Sequence, residues 1–165
     1  MASGNTLLVL LPTGSLPPTS NYATLDTRGS GHWVLDFDAA TNESTLWADV
    51  LPRNYAGGGL TVTVCWMSTG ATSGDVVWQG QFERHQDETD DLDSDSFAAA
   101  QSATGTAAGT NGAVQYTGIT FTAGAQMDSL AAGEHFRFKL IRNAADAADT
   151  MAGDAEVLSV EIRET

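Results

Sequence analysis

Apolar and polar residues alternate in a series of short segments along the chain, and turn-rich stretches separate these segments. In residues 135–143, Phe136 and Phe138 alternate with Arg137 and Lys139, so an extended backbone would have one apolar and one charged face. That pattern predicts a half-buried β-strand. Eight segments are predicted as strands in this way: Gly31–Asp38, Ser44–Val50, Gly59–Ser68, Asp75–Gln86, Ser96–Ser102, Ala113–Thr122, His135–Asn143 and Glu156–Glu164.

Eight strands of this kind predict an all-β fold, an eight-stranded antiparallel β-sandwich of the jelly-roll type. The chain has 165 residues, 42% of them hydrophobic, which is enough for one domain with a single core. An immunoglobulin-like Greek key is the nearest alternative, but it has fewer strands and no N-terminal extension. The residues expected in the core are Trp33, Leu35, Phe37, Val62, Val64, Trp66, Trp78, Phe82, Phe136, Phe138, Leu140, Leu158, Val160 and Ile162.

The first 30 residues differ from the rest, because a short apolar run is followed by three prolines and many small polar residues. Proline cannot donate a ladder hydrogen bond and favours an extended backbone, so residues 1–30 are predicted as an arm and residues 31–165 as the jelly-roll domain. The apolar run pairs either within its own subunit, as an edge strand, or with the sheet of a neighbouring subunit. Contacts to a partner are predicted for Thr6, Leu7, Leu8, Val9, Leu10 and Leu11.

The charge balance narrows the possible partners. The formal net charge is −14, with 21 acidic against 7 basic residues and Lys139 as the single lysine, so the surface has no basic stripe for nucleic acid.

The single cysteine, Cys65, excludes an intrachain disulfide. Residues 7–11 are too short for the hydrophobic region of a secretory signal, and no segment is long enough to span a bilayer.

Motifs for catalysis are absent from the sequence. No Gly-x-Ser-x-Gly elbow occurs, and the three histidines, His32, His85 and His135, lack metal-ligand spacing. We therefore predict no catalytic residue, no cofactor and no metal ligand. A pair of carboxylates for glycoside hydrolysis could come only from a chance approach of residues such as Asp36, Asp38, Asp75 and Glu83.

The densest polar feature is the acidic loop 87–95, in which Asp91, Asp93 and Asp95 have the spacing of the first ligands of a calcium loop. The glycine and glutamate that such a loop requires at positions six and twelve are replaced by Ser96 and Ser102. The loop is either a solvated acidic connection or a partial calcium site. A second, sparser acidic loop has the same two interpretations and contains Asp146, Asp149 and Asp154.

Several stretches resemble a widespread set of small virion structural proteins of tailed bacteriophages, and the likeness extends from about residue 23 to the end. The resemblance implies a component of a phage particle. For a jelly roll with an N-terminal arm, it implies a capsid decoration (cement) protein, which would bind the major capsid protein on the outer surface of the virion as a homotrimer. The matching stretches are Ala23–Arg28, His32–Asp38, Leu51–Tyr55, Ala71–Trp78, Ala125–Glu134 and Asp149–Glu156.

An alternative function is a tail or head-fibre module that binds glycans of the host surface. Such a module needs exposed aromatic side chains that form a flat platform for sugar rings, and Trp47 and Tyr55 are the first candidates. The ordinary interpretation of these two residues is packing at the edge of the sandwich.

Overall fold

The computed structural model describes residues 4–29 and 31–165, which form ten β-strands and two short 3₁₀ helices. No helix within these two ranges is long and apolar enough to cross a membrane. The 3₁₀ helices are Pro12–Gly14 and Ala125–Met127. The strands are β1 (Thr6–Leu10), β2 (Thr24–Arg28), β3 (His32–Phe37), β4 (Glu43–Val50), β5 (Leu60–Thr69), β6 (Asp75–His85), β7 (Gln101–Thr106), β8 (Gln115–Phe121), β9 (His135–Arg142) and β10 (Asp154–Glu164).

The predicted all-β antiparallel sandwich is confirmed, but the described chain has ten strands and not eight. Seven of the eight predicted segments coincide with a strand to within two residues at each end. The exception is 96–102, because the strand of this region is β7. The inward positions of β7 hold small residues, Ala103 and Gly105, and a Cβ atom at Gly105 would clash with Thr117 and with the Trp66 ring, so this strand shows no apolar alternation in sequence.

The ten strands form two sheets. One sheet has the order β2-β3-β10-β5-β8, with β1 also paired to β10, and the other has the order β4-β9-β6-β7. One edge of β10 pairs with β5, whereas its other edge is shared by two strands. Along that shared edge β3 pairs with residues 155–157 and β1 pairs with residues 160–163. The register between β10 and β5 shifts between Val157 and Ser159, which lie where the part of β10 paired with β3 ends and the part paired with β1 begins.

In place of an extended arm over 1–30, the described residues 4–29 contribute two strands to the six-stranded sheet. Because β3 stops pairing at residue 157, the rest of that edge of β10 has free hydrogen-bonding groups, and β1 of the same chain pairs with them. Leu10 is thereby buried against the core. Residues 1–3 and 30 of the predicted arm lie outside the described residues. Contacts of residues 6–11 with a partner stay a prediction.

Aromatic side chains fill the space between the sheets. Trp78 lies between Phe37 and Trp66, with ring centroids 5.1 and 5.8 Å away and both pairs edge to face. Phe82 and Phe121 form a further edge-to-face pair with centroids 4.9 Å apart. These five residues are fully buried, so the core is continuous between the two inner faces.

Two residues predicted in the core are not buried. Trp33 is 51% exposed, because it lies at the start of β3, beyond the part of that strand that pairs with β10. Leu158 is half-buried, because the shift of register at this position interrupts the inward alternation of β10.

A buried guanidinium joins the two sheets at one end of the sandwich. Arg142, the last residue of β9, donates to both carboxylate oxygens of Asp149, from Nη2 at 2.9 Å and from Nε at 3.2 Å. It also donates to the carbonyl oxygens of Phe37, Met151 and Gly153 at 3.2, 3.0 and 2.9 Å. All five N–H donors of the guanidinium are therefore used, and both side chains of the ion pair are buried.

Carboxylates crowd the outer face of the six-stranded sheet. Asp36 of β3 lies directly opposite Glu156 of β10, and each has one buried oxygen that accepts no hydrogen bond from the described residues. Burial raises the pKa of Asp36 from 3.8 to about 6, and the negative charges of Asp154 and Glu156 add to the rise. Arg28 offsets part of this repulsion through an ion pair with Glu156 at 3.2 Å.

We expect Arg142→Met to lower the free energy of unfolding by about 3–5 kcal/mol, because it leaves the Asp149 carboxylate buried without its counter-ion. Urea denaturation at pH 7, followed by tryptophan fluorescence, measures the change. Arg53→Met is the matched control, since Arg53 is exposed and its loss should cost less than about 0.5 kcal/mol. Equal losses in the two variants would contradict a structural role for the guanidinium.

Asp36→Asn should stabilise the protein at pH 7. Because the folded state raises the pKa of Asp36, the folded chain binds a proton more tightly than the unfolded chain, and stability falls as the pH rises from about 4 to about 6. The shift corresponds to at most about 3 kcal/mol, which solvent screening of this half-buried carboxyl reduces to about 1 kcal/mol. Urea denaturation of variant and wild type between pH 3.5 and 7 should show a gain that vanishes at the acidic end.

Asp38→Asn is a control for which we expect the opposite change in the free energy of unfolding. Hydrogen bonds from the Ala40 and Thr41 amides lower the pKa of Asp38, so its charge favours the folded state and its removal should destabilise the protein at pH 7. A pH-independent difference between Asp36→Asn and wild type would refute the crowding of carboxylates as the cause.

Candidate functional site

The two aromatic residues predicted as a sugar-stacking platform are both buried. Trp47 is 2% exposed, packs against Phe138 at 6.4 Å between centroids, and donates its indole N–H to the Leu11 carbonyl at 2.9 Å. Tyr55 is 7% exposed, and its hydroxyl donates to the Gly58 carbonyl. The platform prediction for these residues is wrong, and edge packing describes them correctly. The exposed aromatic residues of the described chain are Tyr22, Trp33 and Tyr116.

A groove crosses the outer face of the four-stranded sheet. It consists of two cavities of about 380 and 230 Å³, and Lys139 lines both of them. The larger cavity is lined by Leu16, Pro17, Pro18, Thr19, Leu46, Asp95, Phe97, Arg137 and Lys139. The smaller cavity is lined by Ser20, Asn21, Asn42, Glu43, Ser44, Lys139 and Ile141.

The floor of the groove follows from the alternation of two paired strands. In β9 the even positions, such as Phe138, face the core, so Arg137 and Lys139 face outward. Leu46 of β4 is the direct cross-strand partner of Lys139 and therefore lies on the same outer face. One strand thus supplies core residues on one side and groove residues on the other.

One wall is the segment 15–23, which runs along the edge of β4. Leu16 and Leu46 exchange two backbone hydrogen bonds, at 2.7 and 3.0 Å, and the Ala23 amide donates to the Ser44 carbonyl at 3.1 Å. Between these anchors lie Pro17 and Pro18, whose rings restrict the backbone. The wall is therefore fixed at both ends and stiff in the middle.

The opposite wall, residues 95–97, is held by the buried carboxylate of Glu83. Its Oε1 accepts the Ser96 amide at 2.7 Å, and its Oε2 accepts Nε of Arg137 at 2.7 Å. Arg137 also donates to Asp95, so the guanidinium links the wall to the floor. Although burial disfavours the charge of Arg137, its hydrogen bonds to Asp95 and Glu83 outweigh burial and raise the pKa of the guanidinium.

The ring of Phe97 lies beside both cations of the floor. The guanidinium carbon of Arg137 is 5.0 Å from the ring centroid, and the Lys139 nitrogen is 5.7 Å from it. The ring holds the cationic side chains against the wall and is itself half-buried. Phe97 was not among the predicted site residues, because the sequence analysis places it in a strand over 96–102, whereas in the structure it lies in the loop before β7.

Two of the three histidines meet at one end of this face. His85 of β6 and His135 of β9 are cross-strand partners, and their Nδ1 atoms are 2.7 Å apart, so the N–H of one ring donates a hydrogen bond to the unprotonated nitrogen of the other. Burial lowers the pKa of His135, and the charge of His85 lowers it further. Within residues 4–29 and 31–165, no group of three or more potential metal ligands is close enough to hold an ion.

The acidic loop 87–95 satisfies several of its own backbone amides. Asp90 accepts the Gln86 amide at 2.6 Å, and Asp91 accepts the Asp93 amide at 3.0 Å. Asp95, one of the three residues with the spacing of a calcium loop, accepts a hydrogen bond from Arg137. In the second acidic loop, Asp149 is the counter-ion of the buried Arg142 and is not solvated.

Two of the four carboxylates considered for a glycosidase pair lie on opposite sides of the core. Asp36 lies on the outer face of the six-stranded sheet, whereas Glu83 lies on the outer face of the four-stranded sheet, on the other side of the core. Asp38 accepts the amides of Ala40 and Thr41 and thereby orders a turn. Asp36 and Glu83 therefore cannot act together on one bond.

A smaller cavity of about 230 Å³ lies beside the exposed ring of Trp33, where the end of β1 meets the start of β3. Leu11 and Pro12 line it together with Leu158 and His32. This cavity is mainly apolar and shares no lining residue with the groove.

No protein-family model matches the chain, and no curated protein matches it. Solved structures do resemble it. The family 35 carbohydrate-binding module (CBM35) from Cellvibrio japonicus Abf62 has a TM-score of 0.56 and 14% identity over 95% of this chain and 92% of that one. A family 35 module from an environmental isolate has a TM-score of 0.54 and 14% identity, over 94% and 92% of the two chains. The CBM22-1 xylan-binding domain from Paenibacillus barcinonensis Xyn10C has a TM-score of 0.53 and 11% identity, over 99% and 97%.

At identities of 11–14% these likenesses concern the fold and nothing finer. The chain has the antiparallel jelly-roll β-sandwich fold of these carbohydrate-binding modules.

Proposed function

We propose that the protein is a non-catalytic carbohydrate-binding module and that the groove on the four-stranded sheet is its binding site. The observation that carries the proposal is the groove itself, in which apolar walls flank a floor of hydrogen-bond donors. The shared fold with three carbohydrate-binding modules supports the same function.

The chemistry of the groove suits a sugar chain. A sugar ring has apolar C–H faces and a rim of hydroxyls, so it needs flat apolar contacts beside fixed polar groups. Pro17, Pro18 and Leu46 offer apolar contacts, whereas Arg137 and Lys139 offer charged donors. An open groove also accommodates a chain that continues past the site on both sides.

The walls of the groove are positioned before any ligand arrives. Glu83 fixes Arg137 and Ser96, and the backbone bonds between Leu16 and Leu46 fix the opposite wall. Binding to a preorganised site loses little conformational entropy, so weak contacts to sugar hydroxyls can give net affinity. This preorganisation is what distinguishes the groove from the loops around it.

Capsid decoration, the function first expected from the sequence, stays a prediction. The same holds for a homotrimer, for the major capsid protein as a partner and for a location on the outer surface of the virion. The glycan-binding alternative has the better support, because the similar solved structures are carbohydrate-binding modules.

Phe97→Ala should lower the affinity for a bound polysaccharide about tenfold, a loss of about 1.4 kcal/mol, because it removes a wall and releases two side chains of the floor. Affinity electrophoresis against xylan, mixed-linked β-glucan and polygalacturonate, followed by calorimetry on the best ligand, measures the change. Leu46→Trp should have the same effect, because the larger side chain would occupy space in the groove that a sugar chain needs. Both variants should keep the thermal midpoint of the wild type within a few degrees.

Trp33→Ala is the matched control, since this exposed aromatic lies in the separate cavity near β1. It should change the affinity by less than about twofold. The reverse result, with Trp33→Ala abolishing binding and Phe97→Ala neutral, would move the site to that cavity. If no polysaccharide binds the wild-type protein, the proposed function is wrong.

A further inference from the structure

Lys139 is the only lysine of the chain, and it lies where the two cavities of the groove meet. Four of the six arginines form ion pairs with a carboxylate. Lys139 forms none within 4.0 Å among residues 4–29 and 31–165. In a chain with 21 acidic and 7 basic residues, a lysine without a counter-ion inside a groove is unusual.

The neighbours of Lys139 explain why its charge is available. Asp95, the carboxylate in the larger cavity, is bound to Arg137, which Glu83 also binds. Glu43, the carboxylate in the smaller cavity, accepts the Asp38 amide at 2.9 Å, and burial raises its pKa. Each nearby carboxylate thus has a donor of its own, and the amine of Lys139 lies over the Phe97 ring.

We propose that the groove selects glycans with an anionic group, the carboxylate of a uronate or a sulfate ester, and that Lys139 binds this group. The inference rests on the proposed function. An ammonium paired with an anion in a partly enclosed groove forms a charge-assisted hydrogen bond, which is about twice as strong as a neutral one. A neutral sugar offers the lysine only uncharged hydroxyls and would therefore bind less tightly.

The net charge of −14 acts against an anionic polymer at long range. At 0.15 M salt the Debye length is about 8 Å, so distant carboxylates are largely screened whereas a direct contact with Lys139 is not. Selectivity should therefore appear at physiological salt. It depends on one local contact and not on a general basic surface.

The test compares three polymers at 0.15 M salt by affinity electrophoresis and calorimetry: polygalacturonate, its carboxyl-reduced neutral form, and dextran sulfate. The wild type should bind polygalacturonate about tenfold more tightly than the neutral form. Lys139→Gln should remove this preference, because it should weaken binding of polygalacturonate about tenfold more than binding of the neutral polymer, whereas Lys139→Arg should keep the preference.

Arg53→Gln and Arg163→Gln are matched controls, because each removes one unpaired positive charge that does not line the groove. If either control loses the preference as Lys139→Gln does, overall charge and not the groove is responsible, and the inference is overturned. Lys139-dependent binding of dextran sulfate would support the inference with sulfate as the anion. Equal binding of the acidic and neutral polymers would overturn the inference while the proposed function stands. Binding of xylan or mixed-linked β-glucan but of none of these three polymers would also overturn the inference, whereas binding of no polysaccharide at all would reject the proposed function itself.

Discussion

The buried guanidinium of Arg142 is the interaction on which the arrangement of the two sheets depends. Three backbone carbonyls, from the end of β3 and from the connection between β9 and β10, point into one enclosed space and need donors there. An oxygen-rich cage of this kind is what a hard cation requires, and in this protein a guanidinium fills it. Asp149 supplies the opposite charge and also accepts the Val77 amide of β6. The pair thus ties β3, β6 and β9 together at one end of the core.

The same strand connects this anchor to the groove. Alternation along β9 directs Arg142 inward with the phenylalanines, and it directs Arg137 and Lys139 outward. Arg142 holds the end of β9 against the other sheet. The side chains of Arg137 and Lys139 therefore project from a strand that is anchored at one end. Glu83 of β6 has a comparable role. One oxygen of its buried carboxylate binds the Ser96 amide in the wall of the groove, and the other binds Arg137 in the floor. Two buried charged side chains therefore hold the structure together at different places. Arg142 joins the two sheets, and Glu83 joins the wall of the groove to its floor.

The alternation of apolar and polar residues predicted most strands of the sandwich. It failed for strands that present few large apolar side chains to the core. The inward positions of β7 hold small residues, because a side chain at Gly105 would clash with Thr117 and the Trp66 ring, so the position of this strand could not be predicted from alternation. β1 and β2 both lie in the predicted arm. β1 has no partner nearby in sequence, and the free edge of β10 that it joins is some 150 residues away. β2 pairs with the next strand, β3, but its side chains are mostly exposed, so it has no apolar face that alternation could reveal. The aromatic candidates for the site failed for a related reason. Trp47 has the inward parity of β4, and it packs on Phe138 of a strand that is distant in sequence.

The all-β class, the positions of seven strands, most of the core and the acidic character of the surface could be predicted from the amino-acid sequence. These properties are local, because they depend on residue type and on alternation along one strand. The strand order, the pairing of Arg142 with Asp149 and the groove between the segment 15–23 and Phe97 became visible only in the folded structure. It also showed that Lys139 has no carboxylate of its own among the described residues. Such properties depend on which strands become neighbours, and one-dimensional alternation contains no information on that choice.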